Sequence, residues 1–199
     1  MTVYTVPAGI LRANCYLLSA DAKNAVLIDC GGNEPFAFAE KKGLKIGHVL
    51  LTHGHYDHIA GCARARALGI PVGCAEAERA TLCGSGNLAA MFGADVGRFE
   101  PDFTFSDGDA LSLDGLCLHV IATPGHTPGG VCFLCGNDLF TGDTLFLESV
   151  GRTDFPGGSG AQLRNSVRRL FALEGDCKVW PGHDDPTTLG HERKYNPFR

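Results

Sequence analysis

The sequence has 199 residues, of which 44% are hydrophobic and 20% are charged, and its formal net charge is -5. A chain of this length and composition can bury one substantial core, so we expect a single domain over residues 1–199. The acidic balance provides no basic surface for a phosphate-rich partner, which argues against binding of nucleic acid. No stretch approaches a membrane span and the first residues lack a secretory leader, so we expect a cytoplasmic protein without a membrane partner.

Five short apolar runs occur along the chain, and each ends at a polar residue beside a turn. They are "AVLID", "IGHVLLTH", "LHVIATPGH", "DLFTGD" and "CKVWPGH", and they end at Asp29, His53, His126, Asp143 and His183. Segments with helical spacing lie between them: "EPFAFAEKKG", "DHIAGCARARALG", "EAERATLC" and "GAQLRNSVRRLFALEG". This mixture predicts an α/β domain, in which strand ends commonly meet at one sheet edge and form a site.

The nine cysteines are scattered singly through the predicted strands and helices. Their odd number and the missing leader favour reduced thiols over a disulfide framework. Cys132 and Cys135 form the one close pair, in the predicted strand "GGVCFLCG". Residues three apart on a strand point to opposite faces, so we expect both thiols to pack in the core rather than to bind one metal.

The stretch "THGHYDH" contains three histidines and one aspartate. His53 and His55 lie two apart, so in extended backbone both imidazoles project to the same side and can reach one metal ion. Asp57 and His58 follow at the start of the predicted helix, where they can serve a second ion beside the first. The spacing therefore favours two metals over one.

The other strand ends complete two metal sites. His126 would be a third nitrogen ligand of the first ion, and His183 would join Asp57 and His58 on the second. Asp143 can bridge both ions, because a carboxylate has two oxygens and a negative charge to place between two cations. The predicted cofactor is two divalent ions, with zinc expected and iron or manganese compatible with the same ligands. Three histidines lie outside this pattern: His48, His119 and His191.

These motifs resemble the metallo-β-lactamase superfamily and, within it, the short type II glyoxalases. The matching stretches span nearly the whole chain: "NCYL", "LIDCGG", "THGHYDH", "TPGHTPGG", "GDTLF", "GRTDFPGG", "PGH" and "LGHERKYNPF". The resemblance implies a four-layer αββα sandwich with the metals at one edge of two facing sheets. It implies the same seven ligands, position by position, and it places Asp29 behind them as a supporting residue.

The resemblance also implies a metallo-hydrolase that cleaves a small acyl thioester such as S-D-lactoylglutathione. A hydroxide bridging two ions would attack the thioester carbonyl, because coordination lowers the pKa of bound water toward neutrality. Asp57 would orient that hydroxide. Arg152 in "GRTDFPGG" and Tyr56 beside the ligands are candidate residues of the substrate cleft.

Other activities occur on the same predicted fold. Persulfide dioxygenases hold a single iron through residues that match His53, His126 and Asp143, and "GRTDF" resembles a stretch in them. The "PGGS" continuation and the "LGHERKYNPF" tail favour the glyoxalases. A lactonase or another ester hydrolase would use the same metals. β-Lactamases usually lack a histidine matching His58 or carry another residue in place of Asp143, which disfavours antibiotic hydrolysis.

Overall fold

The computed structural model describes residues 1–97 and 100–199, and its first β-sheet is built from the first six strands of the chain. The strands are Thr2–Ala8 (β1), Ala13–Ser19 (β2), Asn24–Ile28 (β3), Lys45–Leu50 (β4), Val72–Ala75 (β5) and Phe103–Phe105 (β6). They lie in chain order across the sheet. The pairs among β1, β2 and β3 are antiparallel, and the pairs from β3 to β6 are parallel.

A second six-stranded sheet comes from the carboxyl-terminal half. The remaining strands are Ala110–Leu113 (β7), Leu116–Ala122 (β8), Val131–Cys135 (β9), Asp138–Gly142 (β10), Leu145–Phe146 (β11), Ser149–Val150 (β12), Lys178–Pro181 (β13) and Thr187–Thr188 (β14). The sheet order is β14-β13-β10-β9-β8-β7, and β11 and β12 form a separate hairpin. Because β10 and β13 are parallel while β9 is antiparallel to both β8 and β10, strands β8, β10 and β13 all run the same way.

In the part of the chain that the structure describes, six α-helices connect or flank these strands. They are Glu34–Lys42 (α1), Tyr56–Ile59 (α2), Cys62–Ala67 (α3), Arg79–Cys83 (α4), Gly160–Phe171 (α5) and Leu189–Tyr195 (α6). The segment "DHIAGCARARALG" divides into α2 and α3 around Gly61, whose N–H donates to the carbonyl of Cys30. A Cβ atom at Gly61 would lie 2.2 Å from the carbonyl oxygen of Gly32, so the chain approaches another loop there too closely for any side chain.

The apolar residues of the strands alternate between two faces. In β2, Leu17 packs toward the cluster that contains Phe36 of α1, whereas Leu18 packs toward Phe133 of the second sheet. The outer face of the second sheet packs against Leu170 of α5. The order of layers is therefore helices, sheet, sheet, helices, and the predicted four-layer αββα sandwich is confirmed. Within the described residues, no helix is long and apolar enough to cross a bilayer.

The cysteine pair of β9 lies as the strand period requires. Cys132 belongs to the cluster under α5, whereas Cys135 belongs to the core between the sheets. The two thiols therefore point to opposite faces of the second sheet, and both serve packing.

Candidate metal centre

Seven side chains that could hold metal ions meet at one edge of the sandwich. They are the residues that the sequence predicts: His53, His55, Asp57, His58, His126, Asp143 and His183. The topology explains their convergence. Strands β8, β10 and β13 run in the same direction, so the loops that follow them lie at one edge of the second sheet. The loop after β4 and the start of α2 bring the other four residues to this edge from the first sheet.

The first group consists of His53, His55 and His126, with one ring nitrogen of each lying within 4.8 Å of the others. The Nδ1 atom of His55 is 2.8 Å from the Nε2 atom of His126. The Nδ1 atom of His126 lies 2.7 Å from the carbonyl oxygen of Arg152 and therefore donates its proton to it. This bond leaves the Nε2 lone pair of His126 facing the site.

The second group consists of Asp57, His58 and His183, whose candidate atoms also lie within 4.8 Å of one another. The Oδ2 atom of Asp57 is 3.2 Å from Nε2 of His183 and 3.8 Å from Nε2 of His58. One carboxylate oxygen and two imidazole nitrogens therefore face a common point, a donor set that zinc and iron accept.

Asp143 lies between the two groups. Its Oδ1 atom is 3.4 Å from Nε2 of His58, and its Oδ2 atom is 3.5 Å from Nε2 of His126. Oδ2 also lies 3.7 Å from Nε2 of His183. A Cβ atom on Gly182 would lie 2.2 Å from Oδ1 of Asp143, so the glycine in "PGH" leaves the space that the carboxylate occupies.

Hydrogen bonds behind the site assign the proton positions of two histidines. The Asp29 carboxylate accepts from the backbone N–H and the hydroxyl of Thr52 and from Nδ1 of His58, each at 2.8 Å. Since the Thr52 hydroxyl gives its proton to Asp29, it accepts from Nδ1 of His53 at 3.1 Å. Both imidazoles therefore carry their proton on Nδ1 and present a lone pair on Nε2.

These lone pairs have no partner in the protein. The Nε2 atoms of His53 and His58 and the Oδ1 atom of Asp143 are buried without a hydrogen bond among the described residues. Buried polar atoms are nearly always paired, because an unpaired one loses its hydration without compensation. Nitrogen and oxygen acceptors that face one another across a few ångströms are the pattern that a cation satisfies, so the residues fit a metal site.

The pKa shifts of three of these histidines also suit a metal site. Burial, together with the neighbouring His126, lowers the pKa of His55 to about 3. Burial also lowers the pKa of His53, so both rings are neutral at pH 7 and can donate a lone pair. At His58, burial opposes a positive charge, but the carboxylates of Asp29, Asp57 and Asp143 outweigh it and raise the pKa. The carboxylates around His58 therefore favour a positive charge, which a bound cation would supply in place of a proton, whereas His53 and His55 are neutral lone-pair donors.

A further buried carboxylate, which no sequence motif marks, supports the ligand loops. Glu78 is 1% exposed, and its side chain accepts from the N–H of Gly54 at 2.9 Å and of Gly129 at 2.7 Å. Burial raises its pKa to about 7, against the opposing effect of these hydrogen bonds. It thus joins the loop that carries His53 to the loop that carries His126. No local pattern distinguishes Glu78 from the exposed Glu76 two residues earlier.

The centre opens into a cleft of about 560 Å³. Tyr56 and Arg152, the two predicted cleft residues, both line it. The ring of Tyr56 stacks on Phe92 with centroids 4.9 Å apart. Arg152 donates two hydrogen bonds of 2.7 Å to the carboxylate of Asp154, and its guanidinium lies 4.0 Å from the centroid of the Phe155 ring.

The chain belongs to the metallo-beta-lactamase superfamily, whose family model matches residues 8–183. Hydroxyacylglutathione hydrolase GloC of Haemophilus influenzae is 35% identical over 207 residues, which cover 100% of this chain and 98% of that protein. The mitochondrial persulfide dioxygenase ETHE1 of Homo sapiens is 34% identical over 193 residues, which cover 92% of this chain and 69% of that protein. A sequence identity of about one third is thus shared with relatives that carry out two different reactions.

Solved structures give the same assignment of the fold. The BLEG-1 B3 metallo-beta-lactamase superimposes with a TM-score of 0.93 at 32% identity, covering 99% of both chains. TTHA1623 in a di-iron-bound form superimposes with a TM-score of 0.89 at 35% identity, covering 98% of this chain and 100% of that one. The fold and the family therefore define a metallo-enzyme of this superfamily, whose relatives carry out different reactions.

Proposed function

We propose that the protein is a hydrolase that uses two divalent metal ions to cleave a small acyl thioester. S-D-lactoylglutathione is the first candidate substrate, and zinc is the proposed metal, with iron or manganese as alternatives. The observation that carries the proposal is the position of Asp143, whose carboxylate lies within 3.7 Å of Nε2 atoms from both groups, His126 of the first and His58 and His183 of the second. A carboxylate placed in this way suits two cations a few ångströms apart, the arrangement that hydrolytic two-metal sites use.

The residues of the cleft would divide the chemistry among them. When bound, the two ions supply Lewis acidity and lower the pKa of a coordinated water. Asp57 lines the cleft with its Oδ2 held 3.2 Å from Nε2 of His183, so its carboxylate can orient an attacking water and accept its proton. Asp29 holds the proton of His58 on Nδ1 and thereby keeps Nε2 directed at the site. A thiolate is a good leaving group, so the reaction needs no dedicated general acid.

Persulfide dioxygenases can retain the second group of ligands unused, so its presence does not exclude that reaction, but its assembled geometry supports two metals and a hydrolase. A mononuclear iron centre would need only His53, His126 and Asp143. Here Asp57, His58 and His183 form a second candidate site, and Asp29 supports His58 from behind. The similarity to GloC along the full length of both chains adds to this argument. The similarity to ETHE1 makes the dioxygenase the main alternative.

The deciding experiment combines metal content with two activity assays on freshly purified protein. Elemental analysis should find about two metals per chain, S-D-lactoylglutathione or a related thioester should be hydrolysed, and glutathione persulfide should cause no oxygen uptake. One iron per chain with rapid oxygen uptake would establish the dioxygenase instead. A lactone and a β-lactam belong in the same panel, because an ester hydrolase would share the metals and BLEG-1 shares the fold.

Two histidine variants control for the metal centre. His55→Ala removes a ring from the first group and should abolish hydrolysis while the protein stays folded. His48→Ala removes a histidine that pairs with Asp114 outside the centre, and it should keep the metals and the activity. Equal loss in both variants would show that the effect comes from unfolding.

A further inference from the structure

The walls of the cleft above the metal centre are mostly apolar. Large apolar side chains reach it from four separate segments of the chain: Leu11, Leu88, Phe92, Phe146 and Phe155. Leu11 lies in the turn between β1 and β2, and Phe146 lies at the end of β11. The volume of about 560 Å³ falls in the range of small-molecule sites, which are usually apolar with a few polar groups that fix orientation.

Exposed apolar residues also adjoin several of these lining residues in the chain. In three of these segments, the residue next to the one that lines the cleft is also large, apolar and exposed. Ile10 beside Leu11 is 92% exposed, Met91 beside Phe92 is 63% exposed, and Leu147 beside Phe146 is 41% exposed. Single exposed apolar residues are ordinary, but here each of the three is the chain neighbour of a residue that lines the cleft, in line with the apolar lining itself.

Positive charge is scarce in this cleft. Among residues 1–97 and 100–199, Arg152 is the one Lys or Arg that lines it. Both oxygens of Asp154 accept from its guanidinium, which also stacks on Phe155. Arg152 therefore already has an anionic partner, and the two carboxylates of a glutathione moiety would have to compete with Asp154 for this single exposed cation. Asp184 adds a further exposed carboxylate to the wall.

From these contacts we infer that the cleft selects thioesters by the apolar surface of the acyl group and not by the charge of the thiol carrier. Among the proposed thioesters, the cleft then favours those with a medium-length aliphatic or an aromatic acyl group over those with a short polar one such as lactoyl. This inference rests on the proposed thioester hydrolase activity and specifies its substrate. Burial of each added methylene against Leu11, Phe92 and Phe146 supplies the discrimination.

The test uses two matched series of substrates with the metal-loaded enzyme. Acetyl, butyryl, hexanoyl and octanoyl groups are joined either to neutral N-acetylcysteamine or to glutathione. We expect kcat/KM to rise by up to about fourfold per methylene until the cleft is filled, and to differ by less than about threefold between the two thiols. A flat chain-length series, or a tenfold preference for the glutathione thioesters, would overturn the inference. Failure to hydrolyse any thioester would instead overturn the proposed function.

Two leucines of similar exposure provide a matched pair of variants. Leu11 is 46% exposed at the cleft, and Leu68 is 48% exposed after α3, away from it. Leu11→Ala should lower kcat/KM severalfold more for the octanoyl than for the acetyl substrate, whereas Leu68→Ala should change neither. Equal effects of Leu11→Ala on both substrates would contradict an acyl-binding role.

The charge argument has its own variant. Asp154→Asn leaves Arg152 without its anionic partner, so the guanidinium becomes available to a substrate carboxylate. We expect the ratio of kcat/KM for hexanoyl-glutathione to that for the neutral hexanoyl thioester to rise severalfold. An unchanged ratio would contradict the conclusion that the ion pair with Asp154 keeps Arg152 from a substrate carboxylate.

Discussion

Oδ2 of Asp29 lies 2.8 Å from Nδ1 of His58 and also accepts the hydroxyl proton of Thr52. Asp29 follows β3, and its N–H donates to the carbonyl of Leu50 in the parallel neighbour β4. The pairing of two strands thus sets the carboxylate behind the loop that carries the histidines. One buried acceptor orients residues from both metal groups, His58 directly and His53 through Thr52.

Asp29→Asn should therefore weaken metal binding by about 10- to 100-fold without unfolding the protein. Asparagine tolerates the positive φ of 58° at this position, but its NH2 group would face a second donor in either orientation, the N–H of Thr52 or the Nδ1–H of His58. A competition titration with a chelating indicator measures the affinity. Asp114→Asn is the control, because Asp114 holds His48 in the same way at 3.0 Å but lies away from the metals. Unchanged affinity in Asp29→Asn would refute the supporting role.

The raised pKa of Glu78 should make the free energy of unfolding of the metal-free protein depend on pH. Its pKa is raised from 4.5 to about 7 in the folded state by burial, so between these values the folded chain binds more protons than the unfolded chain. Its contribution to stability is therefore fully present below pH 4.5 and is lost as the pH rises through 7. The loss amounts to at most about 3 kcal/mol.

The measurement is the free energy of unfolding by urea at pH 5 and pH 8, in the presence of a chelator. Glu78→Gln cannot ionise, so the wild-type protein should lose more stability than this variant over the interval. Glu76→Gln, at the exposed neighbouring glutamate, should behave like the wild type. Parallel pH profiles of the wild type and Glu78→Gln would show that Glu78 does not titrate in this range.

Removal of the His183 side chain should change the number of metal ions bound per chain. His183 belongs to the second group only, and its side chain is 24% exposed, so its removal creates little cavity. His183→Ala should reduce the metal content from about two ions per chain to about one, because Asp57 and His58 alone complete a site poorly. Elemental analysis after dialysis measures this. His191→Ala, which removes a histidine paired with Glu148 at the surface, should retain both ions. Full occupancy in His183→Ala would place the second ion elsewhere.

We expect the buried carboxylate of Glu192 to stabilise the carboxyl-terminal helix α6. Its fully buried carboxylate accepts hydrogen bonds from the N–H of Glu148, the hydroxyl of Thr187 and the side-chain amide of Asn196. Glu192→Ala should lower the free energy of unfolding by about 3 kcal/mol, because it leaves three donors without an acceptor. Urea denaturation at pH 7 measures the loss. Glu40→Ala, on the exposed side of α1, should change it little, and a similar loss in both variants would contradict the argument.

Much of the candidate site could be predicted because its residues stand at positions that local patterns mark. His53, His126, Asp143 and His183 each follow an apolar run, and strand ends carry sites in α/β folds. Glu78 could not be predicted, since its partners Gly54 and Gly129 lie 24 and 51 residues away. Periodicity records which face of an element is buried, but not which distant loop covers it.

By itself, the sequence determined the ligand types, their spacing and the alternation of apolar residues that makes a layered sandwich. These properties are local, because a side chain's chemistry and its face on a strand follow from identity and period. Only the tertiary structure decided that Asp143 faces both groups of histidines and that Asp154 forms an ion pair with Arg152. It also decided that the cleft wall is apolar. Those relationships depend on how strands and loops distant in sequence pack together, and the packing of the whole chain sets that geometry.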